Sequence, residues 1–366
     1  MSRRVLIAIH RFSVGGAETQ ALYLARELQN RGYQIVVGAF GFEEEEGYLR
    51  FVHSGLECVY WGFKEKVILE DQKGIIGQIR KYKYVFKLLF QVRGLKIDYI
   101  IPFTYAPNII FCYWYRWMKV KKCFWNQRDE GRKFSGRSEE IESLNYCSFI
   151  ISNSLEGSKF LSRYTEREIV HIPNGIDALS FFQSNDTSRS KKVIMIGNIH
   201  GYKDHLTLIK AWKLVLNHFP DFRLILAGEK GNKFDDCSSL VKELEIESSV
   251  EFKGLVKSVS NTLRGCCLAV FSSENEGLPN GVLEPMAAGL AVVASNIKGT
   301  REALGEEYKF LVDSQDPNLF ADQIIRLLCN DQLRKKVGHD NFLRVFSNFS
   351  IESMVNQYET LLNGKS

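Results

Sequence analysis

Apolar runs of four to six residues recur along the chain, separated by longer stretches with helical spacing. Val5–His10 reads as a first strand, broken by Gly15-Gly16. Residues 17–29 follow as a helix, with Leu22, Ala25 and Leu28 placed for one buried face. Gly32 stops that helix, and Tyr33–Phe40 and Leu56–Trp61 read as the next strands, the second after the acidic loop Glu43–Glu46. Asp98–Phe103, Cys123–Gln127 and Phe149–Ser154 continue the series. After Pro173-Asn174-Gly175 the pattern loosens, and the polar stretch Ser184–Lys192 is the best linker candidate.

A second series then begins. Strands are expected at Val193–Ile196, Arg223–Ala227, Val250–Phe252, Leu268–Phe271 and Ala291–Ala294, with helices over Leu206–Phe219 and Ser238–Glu245. Strands separated by helices imply parallel, doubly wound α/β sheets. The expected domains are 1–183 and 184–350, with 351–366 a helix that returns to the first. Its Met354, Tyr358, Leu361 and Leu362 fall on one side.

Composition changes this picture little. The 366 residues suffice for two buried cores, and 45% hydrophobic with 25% charged residues is ordinary for a globular chain. No apolar run approaches a membrane span or a signal peptide, so a cytoplasmic protein is expected. The eight cysteines form no CxxC and no zinc-ligand spacing, which fits buried thiols in a reducing compartment.

Charge is uneven. Residues 1–180 carry 26 Lys and Arg against 20 Asp and Glu, and Arg80–Lys96 holds six bases and no acid. Arg80, Lys83 and Lys87 share one helical face opposite Val85, Leu89 and Val92. That face is either a solvated helix exterior or a contact for an anionic membrane surface. No nucleic-acid motif accompanies the charge.

Three stretches hold candidate chemistry. Gly15-Gly16 lets the backbone turn tightly before a helix whose N-terminus favours phosphate, although an ordinary turn would look the same. Gly197-Asn198 leaves a strand, and Lys203 is either a point charge for phosphate or a surface lysine. In Ser272–Glu302, Glu276 and Glu284 flank Gly277-Leu278-Pro279. Pro279 suits a first helical turn, which puts Glu284 inside the helix and Glu276 in the loop before it. Ionised carboxylates accept hydrogen bonds from sugar and ribose hydroxyls, and the amides near Asn280 and Gly281 would face phosphate. The bland alternatives are a helix-start cap for Glu284 and solvation for Glu276. In the first half, Asn126 and Arg128 follow a strand, and His10 is read as ending the first one. Arg128 either meets an acceptor or phosphate, or pairs with Asp129 or Glu130.

Together these stretches resemble the retaining GT-B glycosyltransferases of the family 4 type. The resemblance rests on GGAE at 15–18, PNGID at 173–177, GNIHGYKDHLTLI at 197–209, LILAGEK at 224–230, VEFKG at 250–254 and EGLPNGVLEPMAAG at 276–289. It implies two Rossmann-like domains facing across a cleft and a hexosyl transfer with retention, in cell-surface polysaccharide biosynthesis. A nucleotide-sugar is the implied donor, bound mainly by the second domain, and a glycan or lipid-linked molecule is the implied acceptor, bound by the first. It further implies no cofactor and no bound metal, while a peripheral position at the inner face of the cell membrane is the expectation that the basic face at Arg80, Lys83 and Lys87 carries. By the same resemblance Lys203 contacts the donor diphosphate, Glu276 the transferred hexose, Glu284 the ribose and Gly16 the diphosphate from beneath. Many members carry arginine where this chain has Asn198, so one phosphate-binding cation is missing. A same-fold epimerase and a catalytically weak nucleotide- or glycan-binding protein are the rival readings.

Overall fold

The computed structural model describes residues 3–42, 45–70, 74–182, 190–313 and 315–364. Most of the expected linker at 184–192, and Glu43 and Glu44 of the acidic loop, lie outside the described residues. The chain forms two compact units, residues 1–175 with 351–366, and residues 176–350.

The first unit is built on seven strands: β1 (Arg4–Phe12), β2 (Gln34–Phe42), β3 (Glu57–Tyr60), β4 (Tyr99–Pro102), β5 (Lys122–Gln127), β6 (Phe149–Ser152) and β7 (Ile169–His171). They pair in the order β3-β2-β1-β4-β5-β6-β7, and every pairing is parallel. Both faces of such a sheet must be covered, which is why Val5–Ile9 reads as an unbroken apolar run and is wholly buried. The first helix, Gly16–Asn30, packs Leu24, Ala25 and Leu28 on one face. The C-terminal helix, Ile351–Asn363, belongs to this unit and buries Met354, Val355, Tyr358 and Leu362 in the same core, while Leu361 is only partly covered. Arg31 ties it down through an ion pair with Glu359 at 2.9 Å.

The second unit has six parallel strands: β8 (Lys192–Ile196), β9 (Arg223–Ala227), β10 (Val250–Gly254), β11 (Leu268–Phe271), β12 (Val292–Ser295) and β13 (Leu311–Val312). Their order is β10-β9-β8-β11-β12-β13.

In each sheet the winding direction reverses once, between β1 and β4 in the first and between β8 and β11 in the second. Open α/β sheets bind ligands at such a reversal, outside the carboxyl ends of the strands, because the two loops there diverge to opposite faces.

Two local expectations are corrected. Strand β1 runs on to Phe12, so His10 lies inside it rather than at its end. Helix Asn280–Ala287 starts one residue after Pro279, which is extended (φ −78°, ψ 118°) and caps the helix from outside.

Candidate functional site

In the second unit, the loop 197–204 leaves β8 and the loop 272–279 leaves β11, so both open at the winding reversal. Lys203 and Glu276 meet there. The Lys203 ammonium lies 2.5 Å from Glu276 Oε1, and both side chains are largely covered, at 11% and 14% exposure. The ammonium also sits 4.3 Å from the centre of the Phe271 ring, over its electron-rich face. Ser273 Oγ contacts Glu276 Oε1 at 3.3 Å and donates to the Tyr202 carbonyl at 2.9 Å, joining the two loops.

The lysine is braced from behind. His205 is buried, and its Nδ1 lies 3.1 Å from the Lys203 carbonyl, so the N–H points at that oxygen. Burial pushes the imidazole pKa down to about 4, which keeps the ring neutral near pH 7. Asp204 Oδ1 accepts the Thr207 N–H at 3.2 Å and starts the following helix, His205–Leu216. Lys203 is therefore a loop residue ahead of a capped helix.

Close backbone approach fixes the other side of the site. A Cβ on Gly281 would stand 2.3 Å from the Ile196 carbonyl, so glycine lets helix Asn280–Ala287 begin against the end of β8. A Cβ on Gly299 would stand 1.9 Å from the Gly277 carbonyl and 2.6 Å from that of Glu276. This glycine, in helix Lys298–Leu304, thus sets the height of the loop that carries Glu276 and Gly277. Leu278 and Pro279 are buried beside it, whereas Asn280 is partly open. Glu284 is buried in the second turn of its helix, and is held there rather than solvated.

Gly197 passes close to the Lys203 stem, since a Cβ there would lie 3.4 Å from its Cε. Asn198 does not face open solvent alone. Its Oδ1 accepts the Glu229 backbone N–H at 3.0 Å, which links the loops after β8 and β9.

The first unit places its candidates differently. Gly15 is extended and precedes helix Gly16–Asn30, and the Glu18 carboxylate folds back so that a Cβ on Gly15 would lie 2.4 Å from its Oε2. A negative side chain at a helix start is favoured by the peptide dipoles. His10 Nε2 pairs with Glu65 Oε1 at 2.9 Å, and that contact holds the Glu65 pKa below its usual range against the opposing pull of burial. Asn126 is fully buried. Its backbone exchanges two hydrogen bonds with the Asn108 side chain, and its Oδ1 accepts the Tyr358 hydroxyl at 3.1 Å. Its Oδ1 is thus used within the fold, while its Nδ2 has no hydrogen-bond partner among the described residues.

Arg128 does not form the alternative pair with Asp129 or Glu130. Asp129 instead accepts from Gln127 at 2.6 Å and from the Gly131 N–H at 2.9 Å, while Glu130 pairs with Arg132 at 3.0 Å. The Arg128 guanidinium donates to Asn174 Oδ1 and lies 5.1 Å from the Phe103 ring centre. Burial lowers its pKa.

Sequence reasoning missed Thr104. It follows β4 at the winding reversal of the first sheet and has φ 73° and ψ 172°. That region is essentially reserved for glycine, so a β-branched residue there stores strain of about 1–3 kcal/mol. Ser273, Phe271, His205 and Gly299 were also missed. Their only sequence signal is position beside Lys203 or Glu276, or at the end of a strand.

Among the described residues, no group of three or more His, Cys, Asp or Glu side chains is placed to hold a metal ion.

Residues 14–178 match the family model of Glycosyltransferase Family 4, and residues 177–342 match that of the glycosyl transferases group 1. A relative in Haemophilus influenzae, an uncharacterized glycosyltransferase, is 22% identical over 96% of this chain and 97% of its own. The N-acetyl-alpha-D-glucosaminyl L-malate synthase of Bacillus anthracis is 29% identical over 53% of each chain. Among solved structures, Anabaena HepE in complex with UDP and glucose superposes with a TM-score of 0.83 at 17% identity, covering 98% of this chain and 99% of that one. At that identity the likeness concerns the fold.

Proposed function

We propose that this chain, which belongs to the GT-B glycosyltransferases and joins a family 4 region to a group 1 region, moves a hexosyl group from a nucleotide-sugar onto a glycan or lipid-linked acceptor. The observation that carries the reading is the Lys203–Glu276 pair at the winding reversal of the second sheet. An ammonium suits a diphosphate, and an acceptor-only carboxylate suits sugar hydroxyls. The two stand within one hydrogen bond of each other. The start of helix Asn280–Ala287 supplies backbone amides and a partial positive charge for the same phosphates. Glu284, buried in that helix, is assigned to the ribose, and Gly15, Gly16, Gly197, Asn198, Gly277, Leu278 and Pro279 to backbone and packing contacts around the donor.

In this mechanism the bond from the anomeric carbon to the diphosphate oxygen breaks, and a bond from that carbon to an acceptor hydroxyl oxygen forms on the same face. The transition state is oxocarbenium-like. Lys203 takes up negative charge on the departing diphosphate, and the acceptor proton passes to a phosphate oxygen of that leaving group. The first unit holds the acceptor, with Arg128 and His10 as its polar candidates. Transfer is assigned to synthesis of surface polysaccharide and runs without a bound metal.

Thermal shift against UDP-, GDP-, ADP- and CMP-sugars tests the donor. A ligand at a hundred times its dissociation constant stabilises by about 2.7 kcal/mol. The reading expects one base to raise the melting temperature, and UDP-sugars are the first choice because similar folds hold UDP. No shift with any of the four would overturn it.

A further inference from the structure

Among the described residues, no carboxylate pairs with the Arg128 guanidinium, since Asp129 and Glu130 are engaged by Gln127, Gly131 and Arg132. Arg128 is partly buried as a residue, but its Nε and Nη1 are closed off from solvent and make no hydrogen bond among the described residues. Its Nη2 donates to Asn174 Oδ1, and the Tyr358 hydroxyl stands beside the guanidinium. A cation taken out of water is costly unless a group of opposite sign meets it.

The neighbours of Arg128 are unsatisfied in a matching way. Buried Asn126 accepts the Tyr358 hydroxyl at Oδ1, and its Nδ2 is left over. Asn153, also buried, donates from Nδ2 at 3.0 Å to the same Asn174 Oδ1 that Arg128 uses, while its own Oδ1 has no partner among the described residues. Tyr358 and Asn174 thus tie Asn126, Arg128 and Asn153 into one cluster, just past the ends of β5 and β6. Its unmatched atoms are N–H groups of Arg128 and Asn126 and one carbonyl oxygen, that of Asn153. Buried polar atoms seldom stay unmatched. Helix Tyr105–Trp114 adds to the positive side. It begins two residues after Phe103, whose ring centre lies 5.1 Å from the guanidinium, and the Thr104 side chain does not cap it. The first N–H groups of such a helix carry partial positive charge.

We infer that Arg128, Asn126 and Asn153 form a binding site for inorganic phosphate in the first unit. The cation and the surplus of donors call for an anion. Asn153 Oδ1 narrows the choice, because it can be matched only by a donor. Inorganic phosphate keeps at least one O–H near pH 7, whereas sulfate and the halides have none. A phosphate ester loses its last proton with a pKa of about 6, so it too is mostly without a donor there. The enclosed Nε and Nη1 also favour a small free ion over a group carried on a larger molecule. The inference goes beyond the transfer reading and does not depend on it.

Thermal unfolding of the full chain near pH 7 tests it, with inorganic phosphate, sulfate or glycerol phosphate added at matched ionic strength. A saturable rise in melting temperature is expected with phosphate. Sulfate and the ester are expected to act at least about tenfold more weakly, because each leaves Asn153 Oδ1 unmatched. Arg128→Met is expected to weaken phosphate by at least about tenfold, and Arg128→Lys, which keeps the charge but loses the planar fork, by less. Asn153→Asp places a carboxylate beside Arg128 and is expected to abolish the response, which keeps the test open should the methionine variant fail to fold. Lys203→Ala is expected to retain the response, which sets it apart from phosphate bound at Lys203. A melting temperature that ignores phosphate would overturn the inference. So would an equal rise with sulfate or the ester, or a response that survives Arg128→Met but not Lys203→Ala.

Discussion

Asn198 and Glu229 are joined by a hydrogen bond of 3.0 Å, from the Glu229 backbone N–H to Asn198 Oδ1, although 31 positions separate them. The amide thereby serves the protein itself, where an arginine would serve a phosphate. Asn198→Arg adds a cation near Lys203 and is expected to tighten UDP binding about fivefold, the scale of one charge-assisted hydrogen bond over a neutral one. It also removes the acceptor of the Glu229 N–H, but that group is exposed and water can take the place of the amide, so stability is expected to change by no more than about 0.5 kcal/mol. Titration calorimetry with UDP checks the first effect and urea unfolding the second. Equal or weaker UDP binding would count against a diphosphate at this position.

Thr104 carries a backbone conformation that only glycine adopts freely. Thr104→Gly removes strain of about 1–3 kcal/mol but gives back roughly 0.5–1 kcal/mol through the looser unfolded chain. A net gain of about 1–2 kcal/mol is expected as a higher urea midpoint at constant m-value. If the strain serves acceptor placement, KM for the acceptor rises in the same variant. A lower midpoint would show that the conformation is not strained.

His205 links stability to pH. Its imidazole takes up a proton near 6.5 in the open chain but only near about 4 in the fold, because burial penalises the charged ring. The stabilisation is therefore complete above pH 6.5 and is lost as pH falls towards 4, by on the order of 3 kcal/mol in all. His205→Asn keeps a donor for the Lys203 carbonyl and has no such titration. The difference in unfolding free energy between the two proteins should shrink steadily from pH 7 to pH 4. A constant difference would mean that the ring is solvated.

Strand positions were legible because a two-sided parallel sheet demands unbroken apolar runs, and Arg223–Ala227 and Leu268–Phe271 were bounded to the residue. Strands β7 and β13 were missed, since Ile169–His171 and Leu311–Val312 are too short to show a period. The site was legible residue by residue but not as contacts. Lys203 and Glu276 are 73 positions apart and meet only because β8 pairs with β11, a strand order that no local pattern encodes. Tyr358 claims Asn126 across 232 positions for the same kind of reason, through a helix whose docking face alone was readable. Pro279 was placed one step too far along, because a proline preference cannot tell the residue that caps a helix from the one that opens it.

In the proposed transfer the Lys203 ammonium, paired with Glu276, carries charge for a departing nucleoside diphosphate. Steady-state release of UDP, or of whichever nucleoside diphosphate the thermal-shift series selects, measured for wild type and Lys203→Ala with donor saturating, tests it most directly. Removing one group aimed at developing charge costs roughly 2.7–4 kcal/mol, so turnover is expected to fall by about a hundredfold or more with the melting temperature little changed. Turnover within a few-fold of wild type would contradict the account.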